Sequence, residues 1–374
     1  MENLFYFIAV AVIAFIFTAV SIPQIVHVAR VKKLFDTPNS RKATQYVVPT
    51  LGGISIFIGL TLGVTLGGDG FPFYDLKFIF ASILITFFAG MKDDLVGIAP
   101  WSKILALTFS ISILVFFSNL RITHLYGFLG INTIGIIPST ILTFFIGIVI
   151  INSMNLIDGI DGLASSIAVQ VSTILGIWFS LIDLPEYALL AFSLSGSCMA
   201  FFIFNVFGNK NKLFMGDTGS LLIGTMLFVL AVKFNEFNAV HEGEYAIRST
   251  PAVLLGFMAY PLFDVLRVFI LRVFIAKRSP FSPDKNHVHH RLLTLGMNHL
   301  QATSIIFTIN LLFIIISLIL QKFLNVLTIT AILFGIALVL STALELIIFS
   351  KKLIKPNDQH QTLFLPTYIL NTLN

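Results

Sequence analysis

Residues 4–28 read LFYFIAVAVIAFIFTAVSIPQIVHV, and no Asp, Glu, Lys or Arg interrupts them. A helix needs about 20 apolar residues to cross the roughly 30 Å hydrocarbon core of a bilayer, so this run predicts a membrane span. Met1-Glu2-Asn3 supplies no basic lead and no small-residue cleavage site ends the run, so it is expected to stay as the first span and not be removed as a signal. Ten further apolar runs follow, at 50–67, 76–91, 102–118, 136–152, 162–182, 186–206, 218–233, 251–274, 303–321 and 324–349. Together they predict an all-α protein, a polytopic transmembrane helical bundle of about 11 spans. It is expected to form one domain over residues 1–350, with a polar tail at 351–374.

The composition agrees. Of 374 residues, 57% are hydrophobic and 11% charged, whereas soluble domains carry roughly 25% charged residues. Cys198 is the single cysteine, which excludes an intrachain disulfide and argues against a thiolate metal site. The net charge of +5 does not point to nucleic acid, because the basic residues follow a membrane pattern. Connections between the runs fall alternately on two sides. Seventeen of the 23 Lys and Arg gather on one side: Arg30, Lys32, Lys33, Arg41 and Lys42; Lys92 and Lys103; Lys210 and Lys212; Arg272, Lys277, Arg278, Lys285 and Arg291; and Lys351, Lys352 and Lys355. Five fall on the other side and Arg267 lies within a run. Basic connections stay in the cytoplasm, so the N-terminus is expected outside and the C-terminus cytoplasmic.

Acids gather at the cytoplasmic ends of the runs. Asp93 and Asp94 close the third, in Gly90-Met91-Lys92-Asp93-Asp94. Neighbouring acids on a helix point about 100° apart, so one can face a metal and the other a substrate; a solvated helix end with Lys92 as counter-ion accounts for them equally well. After the fifth run comes Asn155-Leu156-Ile157-Asp158-Gly159-Ile160-Asp161-Gly162. Asn155, Asp158 and Asp161 recur every three residues, which a helix would place along one side. One helix-capping Asp would explain one of these acids, not both. The alternating ligands and closing Glu of a calcium-binding EF-hand are absent. Asn205 precedes Phe214-Met215-Gly216-Asp217-Thr218-Gly219-Ser220, where Asp217 is either a helix cap or part of a phosphate-binding helix start. Clustered carboxylates repel and raise one another's pKa. A divalent cation would relieve that, and magnesium prefers carboxylates plus substrate phosphates.

The fourth cluster is Asp284-Lys285-Asn286-His287-Val288-His289-His290-Arg291. His287, His289 and His290 lack the i, i+4 spacing of a helical zinc pair. With Lys285 and Arg291 beside them, anion recognition is the better reading, against a plain basic loop on the cytoplasmic side. Lys42, in Ser40-Arg41-Lys42, adds a cation ahead of the second run.

Taken together, Lys92-Asp93-Asp94, Asn155 to Gly162, Phe214 to Ser220 and His287-Val288-His289-His290 resemble the polyprenyl-phosphate N-acetylhexosamine-1-phosphate transferases of glycosyltransferase family 4, over roughly residues 36–300. The His-Val-His-His form is more similar to the N-acetylglucosamine branch than to the muramoyl-pentapeptide branch, whose comparable motif has three consecutive His. The resemblance implies a bundle of ten or eleven spans, often a homodimer, in the bacterial inner membrane, with a magnesium-dependent active site (manganese as substitute) facing the cytoplasm. It implies a ninth span broken near that face, here 251–274 with Pro261, Asp264 and Arg267. It implies transfer of a sugar-1-phosphate from a UDP-sugar to undecaprenyl phosphate within the membrane lipid. Asp217 would be the metal ligand together with Asp158; Asp93, Asp94, Asp158 and Asp161 the catalytic acids; and Lys42, Asn155, Asn205, His287, His289 and His290 the substrate-binding groups. Thr44 departs from the pattern, standing where related enzymes often have His. The alternative from another class is a secondary transporter, which binds substrate near the midplane between repeated halves. Here the acids sit at the cytoplasmic ends and no repeated half is visible.

Overall fold

The computed structural model describes residues 2–34, 48–68, 74–241, 243–275, 277 and 286–354. Each of the eleven apolar runs becomes a helix or a helix pair: α1 (Glu2–Lys32), α2 (Gly52–Leu66), α3 (Leu76–Val96), α4 (Pro100–Phe117), α5 (Ile136–Ile157), α6 (Leu163–Leu181), α7 (Pro185–Phe207), α8 (Gly216–Asn238), the pair α9 (Thr250–Phe257) and α10 (Ala259–Ile270), α12 (His299–Leu320) and α13 (Val326–Ile354). The short α11 (Val288–Thr294) holds the histidines. Among the described residues eight helices are long and apolar enough to cross a membrane, nine if the bent pair counts as one span. α2 is short for a span at 15 residues, and α3 carries Lys77, Lys92, Asp93 and Asp94. The chain is a multi-pass membrane protein.

The sequence reading missed one element, a small hairpin in the fourth connection. β1 (His124–Phe128) pairs antiparallel with β2 (Ile131–Thr133), with His124 opposite Thr133 and Phe128 opposite Ile131. Glu236, in the last turn of α8, anchors it by accepting from the Thr123 N–H at 2.8 Å and from the Thr123 hydroxyl. This marks one end of the bundle. The acids and histidines mark the other.

α8 runs through the centre. Of its apolar window 83% is buried, against 11% for α13, and it packs on α2, α3, α5, α6 and α9. Hydroxyl pairs tie neighbours inside the bundle: Ser82 to Ser110 at 2.6 Å between α3 and α4, and Thr173 to Ser195 at 2.7 Å between α6 and α7. Such pairs give about 0.6 kcal/mol each in a membrane, where apolar burial no longer separates helix from lipid.

The ninth run is broken as the resemblance implies, by an 81° bend between α9 and α10. Pro261 has no N–H for the carbonyl of Phe257 four residues back, and its ring crowds that carbonyl. An unpaired backbone group costs several kcal/mol in hydrocarbon. Asn310, fully buried in α12, removes the deficit. Its amide donates to the Phe257 carbonyl at 3.0 Å, and its Oδ1 accepts the Tyr260 N–H at 2.9 Å. Gln170 of α6 in turn accepts from the Asn310 amide at 2.7 Å. The bend therefore has a specific cause and a specific support, and it turns α10 toward the histidines.

Candidate active site

Four helix ends converge on Asp217. It lies in the first turn of α8, and its Oδ2 accepts from Lys103 Nζ at 2.8 Å, while Oδ1 accepts from the Asn155 amide in the last turn of α5. Asn155 also donates to Ser220 Oγ at 2.8 Å. Lys103, in the first turn of α4, makes a second ion pair with Asp93 Oδ2 at 2.6 Å. Asp93 Oδ1 accepts the Ile98 N–H at 2.9 Å, which fixes it at the end of α3.

Asp94 faces elsewhere. Its carboxylate accepts the N–H of Asp217 at 2.7 Å, the N–H of Thr218 at 2.9 Å and the Thr218 hydroxyl at 2.5 Å. It caps α8 from another helix, satisfying donors that a helix start leaves free. Gly216 makes this approach possible: its φ of 71° lies in the left-handed region, and a Cβ there would sit 2.5 Å from Asp94 Oδ2. The two adjacent acids thus do different things, one within the Lys103 network and one holding the helix that presents Asp217.

The expected helical side of Asn155, Asp158 and Asp161 does not form. α5 ends at Ile157, Asp158 caps it, and 158–162 is a turn. Asp158 nevertheless joins the cluster. Its carboxyl is pushed well above the usual carboxylate range, first by burial and then by the charges of Asp217, Asp94 and Asp161. Asp161 is engaged differently, with Lys212 Nζ at 2.6 Å and His299 Nδ1 at 3.0 Å on its Oδ2. Burial works to raise it, but the hydrogen bonds from His299 and Lys212 prevail and hold it below its ordinary value. Asn205 is buried behind this turn, taking the Gly162 N–H at 2.6 Å and donating to the Leu213 carbonyl at 2.8 Å. Its two bonds join the 158–162 turn to the segment leading into α8. Lys42 lies outside the described residues.

The histidines meet the same turn from the other side. His289 is fully buried; its Nδ1 pairs with the Tyr260 hydroxyl at 3.1 Å, and its Nε2 has no partner among the described residues. A Cβ on Gly159 would collide with that Nε2, so the glycine is what lets the ring lie against the turn. Burial, then the charge of His290, push the His289 imidazole down to about 3. His287 is also buried, its Nδ1 bonded at 2.7 Å to Asp264 of α10, which accepts the Val288 N–H at 2.8 Å and so starts α11. His290 packs its ring 4.2 Å from that of His289.

Two functional residues were hidden in the sequence. Lys103 counted only as one more cytoplasmic cation. A signal existed, because a Lys at a helix N-terminus opposes the helix dipole and needs an acid to hold it there. Asp264 was noted only as a polar residue in a broken span; an acid within an apolar run almost always pairs inward, and here it fixes His287.

Among the described residues no group of three or more His, Cys, Asp or Glu side chains is set to hold a metal ion. Magnesium typically takes only one or two carboxylates and fills its shell with water and substrate phosphate. The carboxylates around Asp217 suit that use, since they are hard oxygen donors whose charges add to burial in raising Asp158.

Residues 76–235, which run from the start of α3 to the last turn of α8, match the pattern of glycosyl transferase family 4. A Bacillus subtilis (strain 168) protein named probable undecaprenyl-phosphate N-acetylglucosaminyl 1-phosphate transferase is 30% identical over 331 residues, 84% of this chain and 85% of its own. The decaprenyl-phosphate N-acetylglucosaminephosphotransferase of Mycolicibacterium smegmatis is 29% identical over 295 residues, 72% and 71% of the two chains. The undecaprenyl-phosphate alpha-N-acetylglucosaminyl 1-phosphate transferase of Escherichia coli O157:H7 is 29% identical over 294 residues, 77% of each. With the convergence on Asp217 and likeness over most of its length, the chain belongs to the enzymes of glycosyl transferase family 4.

Proposed function

We propose that this enzyme transfers N-acetylglucosamine-1-phosphate from UDP-N-acetylglucosamine to undecaprenyl phosphate and releases UMP, as the first membrane step of a cell-envelope polysaccharide. The observation that carries the reading is the junction of Asp93, Lys103, Asn155 and Asp217, four side chains from four helix ends joined by direct bonds. The names of the relatives give the same acceptor class and sugar. In this reading an oxygen of the lipid phosphate attacks the sugar-bearing phosphorus, a new P–O bond forms, and the bond to the UMP oxygen breaks. Such transfers rest on positioning and on charge stabilisation. Asp217 and Asp158 would hold magnesium, which supplies charge stabilisation on the pyrophosphate. Asp93 is the acid beside the acceptor, and Lys103 fixes it against Asp217. Asp94 contributes by holding the start of α8. Asp161 ties its turn to α12. The histidines face the donor. The membrane is the bacterial inner membrane and the site faces the cytoplasm, a placement supported by the 17-to-5 division of Lys and Arg. Eleven passes fit the alternation of helix ends between the hairpin and the acids.

Purified protein with radiolabelled UDP-N-acetylglucosamine, undecaprenyl phosphate and magnesium should move label into the lipid phase, with UMP as co-product. Chelator should stop it and added magnesium restore it. No lipid label from any UDP-N-acetylhexosamine would overturn the reaction. Full activity in excess chelator would remove the metal. With both donors at equal concentration, preferential use of UDP-muramoyl-pentapeptide would overturn the sugar alone.

A further inference from the structure

α13 is the least embedded of the candidate spans, yet its site end reaches directly to the histidine segment. Ser341 and Glu345 stand four residues apart and so share one helix face. Arg267, near the end of α10, uses all three guanidinium nitrogens. Nε donates to Ser341 Oγ at 2.9 Å, Nη2 to Glu345 Oε1, and Nη1 to the carbonyl of Asn286 at 2.7 Å. Arg291 of α11 answers from the opposite end of the segment, with Nε 3.2 Å from Glu345 Oε1 and Nη2 on Oε2. One carboxylate therefore gathers two guanidinium groups that would otherwise repel, and the backbone between them is His287 to His290. Both arginines are largely covered, so neither charge is free to relax into water.

We propose that Glu345 is a positioning residue for the sugar-donor site: by clamping Arg267 and Arg291 it sets where His287, His289 and His290 lie relative to the 158–162 turn. The proposal rests on the function given above. It concerns a residue far outside the matched segment 76–235, on a helix separate from the four that meet at Asp217. The clamp acts at both ends of the segment. Arg267 holds the Asn286 carbonyl, one residue before His287, and Arg291 is one residue after His290. With the carboxylate neutralised, the segment keeps Asp264 on His287 and Tyr260 on His289 but loses its outer edge, and the donor meets histidines of less certain orientation.

The test uses the full chain in detergent and compares Glu345→Gln with Glu345→Asp. Gln keeps the shape and loses the charge, whereas Asp keeps the charge on a shorter arm. In Glu345→Gln the KM for UDP-N-acetylglucosamine should rise at least tenfold. The melting temperature should fall, because two covered guanidinium groups lose their counter-charge, while the KM for undecaprenyl phosphate stays near wild type, and hydrogen exchange over residues 286–294 should quicken while α5 and α8 are unchanged. Glu345→Asp should recover part of the donor KM. Unchanged donor KM with unchanged exchange overturns the proposal. A fall in kcat with both KM values moving together overturns it also, because that is what a purely structural residue does. If Glu345→Gln does not fold, Glu345→Asp carries the same comparison, and a donor KM equal to wild type then sinks the idea. A wild-type protein without transferase activity would defeat the functional reading, while the exchange measurement would still decide whether the clamp exists.

Discussion

The two halves of the site are built on opposite plans. Around Asp217 the groups are charged, come from helix ends and remain partly open: Asp217 keeps 29% of its side-chain surface and Lys103 17%. Around His289 the groups are packed and closed, with ring against ring, and the His287 and His289 imidazoles are backed by buried partners, Asp264 and Tyr260. Charges at the open half can exchange partners with a substrate phosphate at little cost, since water and neighbouring ions share the solvation. Groups in the closed half cannot move without breaking a buried bond, which costs on the order of 1–3 kcal/mol for each unsatisfied group. The open half is suited to the chemistry and the closed half to holding its partner still. Motif membership alone does not distinguish them, since Asp217 and His289 both lie in the four sequence clusters while Lys103, Asp264 and Tyr260 lie in none.

The sharpest break in this comparison is expected at Asp217. Asp217→Asn keeps the volume and still accepts from Lys103, but loses the charge that the cluster is built around. Transfer should fall by about 10³-fold or more, a loss of roughly 4 kcal/mol in transition-state stabilisation, while the melting temperature moves by only a few degrees. Lys103→Met should fall to a similar depth. The double variant should be little worse than either, because residues that act as a unit are not additive. Additive losses, measured as kcat/KM on the same lipid acceptor, would show that the two side chains serve separate steps and that the open half is not one unit.

Much of this arrangement was legible before any coordinates. Apolar runs of span length announce a bundle whatever their neighbours, because the bilayer sets the length of each helix. The four clusters were legible because acids and histidines at the ends of such runs need a reason to be there. What stayed hidden depended on contacts between distant segments. Asn155, Asp158 and Asp161 have helical spacing, but Gly159 and Gly162 end the helix, and the glycines were the better signal. The separate duties of Asp93 and Asp94 follow from where α8 starts, which adjacent letters do not encode. Asn310 reads as an ordinary polar residue in a span until Pro261, half a hundred residues earlier, frees the carbonyl that it serves. The hairpin was missed because its strands are only five and three residues long and rest on Glu236 for support.

A smaller effect is expected where the halves touch. Gly159→Ala places a methyl group against His289, and the closed half has no slack to absorb it. Activity should drop about 10- to 100-fold, the loss expected when a reacting group is displaced by about 1 Å. His289→Ala should itself be impaired, yet adding Gly159→Ala to it should cost almost nothing further, since the collision is gone. If Gly159→Ala is equally harmful with and without His289, the contact between the turn and the ring is not what matters, and the boundary between the halves lies elsewhere.

The smallest effect concerns protons. His289 is held at about 3 by burial and then by His290, with His287 and His299 adding to the effect and Asp264 opposing it. In the unfolded chain an imidazole titrates near 6.5. Between pH 6.5 and 3 the unfolded chain therefore carries a proton at this position that the folded chain refuses. Stability contributed through His289 is complete above pH 6.5 and declines as the pH falls through that window. At pH 5 the loss is about 2 kcal/mol by linkage. Other groups titrate too: Asp158, held high, works in the opposite sense, and Asp161, held low, matters only below its ordinary range. The measurement is therefore a difference. Unfolding of wild type and of His289→Gln is compared at pH 7.5 and pH 5.0, and the variant should lose less stability over that interval. An equal or larger loss in the variant would mean that the folded protein already accepts the proton, which a closed and desolvated His289 cannot do, and the contrast between the two halves would fail at its most buried residue.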